Sequence, residues 1–196
     1  MKPVGIVLVE AIPFGIVCSL YVISMFLDWQ KLYKRVSDKS RLELRIGPMR
    51  SYRHYYEADV KRESLNDKLD LTHHPGVKMF MDIIFYLQWA SIGGLAISPF
   101  LVFTGLPFIY RYAWMLLTGI SCILSFVYCN LFTIAIQVDD VLDQIDKKVN
   151  GTIEFDGGEG AGLWIAYAAK ALTILLLVYA LWLQQSACGC SNVSFA

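Results

Sequence analysis

The sequence predicts an all-α membrane protein: a four-transmembrane-helix bundle carrying a small membrane-proximal loop subdomain with short β-strands. Three observations lead there. Of 196 residues, 56% are hydrophobic and only 17% are charged, an apolar excess over ordinary soluble domains. Four stretches, about 4–27, 79–103, 110–136 and 161–183, each supply the roughly 20 mostly apolar residues that cross about 30 Å of hydrocarbon. The charged residues gather mainly between these stretches, which leaves 1–196 as a single four-span membrane domain with a long loop 28–78 and an acidic loop 137–160.

The first span follows a single lysine and has no clear small-x-small cleavage site before Asp28, so it is expected to be retained rather than cut as a signal peptide. Pro13 within it and Pro99 at the end of the second span are expected to bend their helices. Ala90, Gly94 and Ser98 repeat every four residues in the second span, a small-residue stripe suited to close helix packing inside the bundle. The third span follows the short turn "TGLPFIYR", and the fourth opens through "GEGAG".

The long loop holds twelve Lys/Arg, eight Asp/Glu and all three histidines. Its "RLELRI", residues 41–46, alternates charge with Leu42, Leu44 and Ile46, the period-two pattern of a half-buried strand, and Gly47-Pro48 ends it. Val60, Leu65 and Leu69 lie at roughly helical spacing, and Pro75-Gly76 is expected to stop the loop before Lys78 starts the second span. Arg50, Tyr52, Arg53, Tyr55 and Tyr56 are types enriched at protein contacts and also at headgroup level, so they form a candidate partner-contact set or an interfacial collar. His73-His74 lacks the acids or cysteines that would complete a metal site.

The acidic loop sets Lys147 and Lys148 against seven acids. Asp146, Asn150, Gly151 and Ile153 match part of a calcium loop, but Lys148 takes a ligand position and Gly157 stands where the bidentate glutamate belongs. No metal and no cofactor is expected.

Glu10, Asp82, Gln88, Asn130 and Lys170 lie in or near the spans, where polar groups are costly. At about 1.5 Å per residue, Gln88 and Lys170 lie at similar depth, so Lys170 is expected to bond Gln88 or backbone carbonyls inside the bundle. No serine, histidine and acid set or phosphate loop appears on the spans, so no enzyme is expected. The zero formal charge gives no sign of nucleic acid. The expected partners are the lipid bilayer and other membrane subunits.

Two topology signals disagree. Fourteen Lys/Arg lie on the loop side against Lys2 and Arg111 on the terminal side, which favours cytosolic loops. The sequon at Asn150 favours lumenal or extracellular loops, and Cys188 and Cys190 just past the last span suit acylation in the cytosol. The loops contain no cysteine, which excludes a disulfide-stapled domain there.

The span "GAGLWIAYAAKALTILLLVYALWLQQSACGC" is similar to a claudin fourth span, and "YRYAWMLLTGISCIL" resembles a third span of the claudin-like tetraspan superfamily, which includes channel gamma and receptor auxiliary subunits. Trp29 stands where those proteins often carry a tryptophan, and the loop lengths agree. Their first-loop Gly-Leu-Trp and cysteine pair is missing, since Gly162-Leu163-Trp164 lies at the wrong span. The resemblance implies cytosolic termini, a plasma-membrane location and a non-enzymatic role as an auxiliary subunit of a channel or receptor complex or as a junction-type adhesion protein. The alternative is an accessory subunit of an organellar or endoplasmic-reticulum complex with loops facing cytosol or matrix.

Overall fold

A computed structural model describes residues 3–37, 40–49, 51–57, 60–61, 75–103, 108–138 and 156–189. Helix α1, Pro3–Phe26, precedes strands β1 (Gln30–Ser37), β2 (Ser40–Ile46), β3 (Ser51–Glu57) and β4 (Val60–Lys61). Helix α2, Pro75–Ile97, passes into a 3-10 segment, Ser98–Phe103; α3 is Phe108–Val138, β5 is Asp156–Glu159 and α4 is Ala161–Gly189.

All four helices are long and apolar enough to cross a membrane, over Val9–Phe26, Pro75–Leu101, Ile109–Ala135 and Ala161–Leu183. The chain is an integral membrane protein. Burial follows helical periodicity: on α3 the buried positions are Arg111, Met115, Thr118, Cys122, Ser125, Cys129 and Phe132, at alternating spacings of four and three. The opposite faces expose Leu116, Ile120, Ile123 and Val127, and on α4 Leu175 and Val178. The inner face of α3 thus mixes polar with apolar residues while its outer face is apolar, as a lipid solvent allows.

Two helix boundaries differ from expectation. Pro75 begins α2 instead of ending the loop, because proline's fixed φ and missing N–H suit the first helical turn. At Pro99 the α-helix gives way to the 3-10 segment, since proline cannot donate the next helical bond. Pro13 lies within the continuous α1.

The described chain forms two compact units. One gathers Met1–Tyr21, Tyr86–Phe126 and Tyr167–Ala196; it packs Phe14, Val17, Leu95, Met115, Ala169, Leu177 and Ala180 into an apolar core. The other gathers Val22–Phe85 and Val127–Ala166, and contains the sheet.

That sheet has five strands in the order β4-β3-β2-β1-β5 and every pairing is antiparallel, with three long strands at its centre. It therefore joins the long loop to the acidic loop. The alternation in "RLELRI" does form β2, and its apolar side supplies Leu44 and Ile46, both fully buried. Leu32 of β1 pairs with Leu44, and Gln30 with Ile46. Val60, expected at helical spacing, is in β4, while Leu65 and Leu69 lie outside the described residues.

Trp29 anchors this unit. It is 1% exposed, its indole Nε1 donates to the Ser24 carbonyl at 2.7 Å, and its ring meets Phe132 edge-on at 6.1 Å. Gly160 N–H donates to the Trp29 carbonyl at 2.7 Å, and Gly162 N–H donates to that of Asp28 at 3.0 Å. A Cβ at Gly160 would overlap the Asp28 carbonyl, and one at Gly162 would press on the Trp29 ring. The glycine-rich opening of α4 thus lets two backbones touch. Arg45 adds an ionic tie, donating to Glu43 at 2.6 Å and to Asp28 at 3.3 Å.

Candidate functional site: a polar interior

The helices bring polar side chains together at two levels of the first unit. At one level Arg111 of α3 donates to the Glu10 carboxylate of α1; these residues are 4% and 1% exposed. At the other level the Tyr21 hydroxyl contacts Thr173 Oγ1 at 3.1 Å and Cys122 Sγ at 3.5 Å, and Ser91 lies beside it as well. Thr173 donates its own hydrogen to the Ala169 carbonyl at 2.8 Å, so Tyr21 is the donor in their contact. Cys122 Sγ also lies 3.4 Å from the Lys170 carbonyl.

These contacts set the helix directions. Glu10 and Tyr21 are eleven residues apart, as are Arg111 and Cys122, so α1 and α3 run in parallel and in step. The two levels are therefore about 16 Å apart along the helices. Phe14, Val17, Leu95, Met115 and Leu177 fill the space between them. Apolar packing thus separates the two polar levels.

Lys170 belongs to the second level. Only 1% exposed, its ammonium lies 5.8 Å from the centroid of the Tyr21 ring, within cation–π range. Gln88 is fully buried, as depth matching suggested, but both amide atoms lack a hydrogen-bond partner. Of the partners expected for Lys170, Gln88 or backbone carbonyls, the Gln88 carboxamide is not bonded to it, and the ammonium lies over the Tyr21 ring. Asp82 and Asn130 are on exposed faces of their helices.

Of the small-residue stripe, Gly94 and Ser98 are buried and Ala90 is exposed. Trp114 Nε1 donates to the Gly94 carbonyl at 3.0 Å, and a Cβ on Gly94 would overlap the Thr118 hydroxyl. The glycine lets α2 and α3 approach. Beside that crossing is an open apolar groove of about 300 Å³, lined by Ala90, Ile97, Trp114, Leu117 and Ser121 among others.

The candidate contact set on β3 does not form one face. Tyr52 pairs with Arg45 and Tyr56 with Arg41, whereas Arg53 pairs with Leu44 and Tyr55 with Leu42. Alternation therefore places positions 52 and 56 on one side of the sheet and positions 53 and 55 on the other, the apolar side. Between them His54 pairs with Glu43, and both are buried. Arg50, Asn150 and Cys190 lie outside the described residues, and Cys188 lies in the last turn of α4. Among the described residues no group of three or more His, Cys, Asp or Glu is placed to hold a metal.

Sequence reasoning missed Arg111 and Tyr21. Arg111 sits near a turn and reads as an interfacial charge, and Tyr21 reads as one more apolar residue in a span. No local pattern marks either residue, because their contacts depend on α1 and α3 running in step. In comparisons with known proteins, the chain matches no protein-family model and no curated protein.

Proposed function

We propose that this chain is a non-enzymatic interaction protein of the plasma membrane: an auxiliary subunit of a channel or receptor complex, or a junction-type adhesion protein. The observation that carries this reading is the shared sheet. Both long loops contribute strands to it, and the start of α4 is hydrogen-bonded to Asp28 and Trp29 at its root. Two loops fused into one ordered platform suit recognition of another protein, because little ordering entropy remains to be lost on binding. Arg41, Arg45, Tyr52 and Tyr56 hold paired register positions in β2 and β3, and arginine and tyrosine are residue types enriched at protein contacts.

The polar interior supports a non-conducting role, since its two levels are separated by apolar packing. The reading also agrees with the claudin-like layout of loop lengths and spans. It places the loops outside the cell, both termini in the cytosol, a glycan on Asn150, and acyl groups on Cys188 and Cys190.

The Lys/Arg excess on the loop side favours the second reading, an accessory subunit of an organellar or endoplasmic-reticulum complex with loops facing cytosol or matrix. The two separate in intact cells. Under the first reading, glycosidase shifts the wild-type band but not that of Asn150→Gln, and a C-terminal tag is protected from external protease. A loop epitope reachable only after permeabilisation would overturn it. Capture in mild detergent followed by mass spectrometry then identifies the partner.

A further inference from the structure

The Gln88 carboxamide and the Ser125 hydroxyl are both fully buried, and their polar atoms have no hydrogen-bond partner in the protein. Their positions coincide in depth. Ser91 and Cys122 both meet the Tyr21 hydroxyl, and contacts at Gly94 with Trp114 and Thr118 show α2 and α3 antiparallel. Gln88 is three residues before Ser91 and Ser125 three after Cys122, so both lie about 4.5 Å beyond Tyr21 in the same direction. Lys170 approaches this level too: a helical side chain leans toward its helix N-terminus, which from Lys170 is the direction away from Thr173.

We propose that this level is a binding site for water inside the bundle, with one or two molecules bridging the Gln88 carboxamide and the Ser125 hydroxyl. The chemistry selects water over other ligands. A carboxamide presents donors and an acceptor together, and a hydroxyl does the same, so the matching ligand must both give and accept hydrogen bonds. Among small molecules water does this in the least space, and a buried water typically makes about three bonds to polar groups that are otherwise unsatisfied. The apolar alternative is unfavourable, since an unbonded amide in a lipid-immersed core is costly. The site would hydrate the Tyr21–Lys170 level without connecting it to the Glu10–Arg111 level, because the apolar packing lies between.

The test uses the full chain in detergent micelles, side-chain 15N-labelled at glutamine, and reads magnetisation transfer from water to carboxamide protons. A transfer peak that disappears in Gln88→Leu identifies Gln88, and the proposal expects Ser125→Ala to weaken or abolish that same peak. Thermal midpoints supply an independent sign. If water bridges the pair, Gln88→Leu and Ser125→Ala each lower the midpoint by a few degrees, and the double variant loses less than their sum. If the groups are bare, Gln88→Leu removes a penalty and raises the midpoint. No transfer to Gln88, or a raised midpoint in Gln88→Leu, overturns the proposal. Should Gln88→Leu fail to fold, Ser125→Ala decides: loss of one glutamine transfer peak supports the site, and an unchanged spectrum overturns it.

Discussion

Removing the guanidinium at position 111 would strand the Glu10 carboxylate at 1% exposure, and an uncompensated buried charge is more harmful than a missing pair. Arg111→Met is therefore expected to destabilise the fold by about 3–5 kcal/mol, and the double variant Glu10→Gln/Arg111→Met by clearly less. Chemical denaturation in detergent micelles of the four proteins in this cycle measures the coupling; a loss in the double variant equal to the sum of the two single losses would mean that the pair contributes nothing. Glu10 stood out in the sequence because an acid in an apolar run is rare. Its partner did not, because pairing depends on α1 and α3 running in step, which no local pattern encodes. Lys170 was legible for the same reason as Glu10, whereas the Tyr21 ring beneath it was hidden by its ordinary place in a hydrophobic span.

Close approaches between elements rest on glycines, and these positions give sharp expectations. Gly94→Ala forces its new methyl onto Thr118 and should cost about 1–3 kcal/mol by overpacking. Adding Thr118→Ala, which removes the overlapped hydroxyl and methyl, should recover part of that loss; thermal unfolding of the pair of variants checks it. Gly160→Ala pushes against backbone at Asp28, where no side chain can yield, so it should be worse than Gly94→Ala and should expose Trp29, seen as a red shift and stronger quenching of tryptophan fluorescence. At this scale the four helices were readable from the length of their apolar runs, and β2 from its period-two alternation, because burial of one face imposes it. The strand β5, "DGGE", was not. Aspartate and glycine have poor strand propensity, and the segment is held by its pairing with Gln30–Tyr33 of β1, a partner more than a hundred residues away. The helix-like spacing of Val60, Leu65 and Leu69 misled at Val60 because β4 takes its geometry from β3.

For the whole molecule, an even number of spans and a sheet that joins strands from both loops make the same demand on topology. Strand pairing between β1 and β5 requires the segments that carry these two strands to emerge on one side of the membrane, whichever side that is. The charge count and the Asn150 sequon disagree about which side, and neither contributes much to the folded state. The sheet does not depend on that choice. Single reporter cysteines at Asn66 in the long loop and Gln144 in the acidic loop, in a chain whose own cysteines are replaced, should both react with a membrane-impermeant maleimide from the same face of sealed vesicles. Reporters at Lys2 and Ala196 should react only from the opposite face. Labelling of Asn66→Cys and Gln144→Cys from different faces would be incompatible with β1–β5 pairing, and hence with the shared platform from which the interaction role is argued. Labelling from one face leaves the sheet intact, and its sidedness then chooses between a platform displayed outside the cell and one turned toward cytosol or matrix.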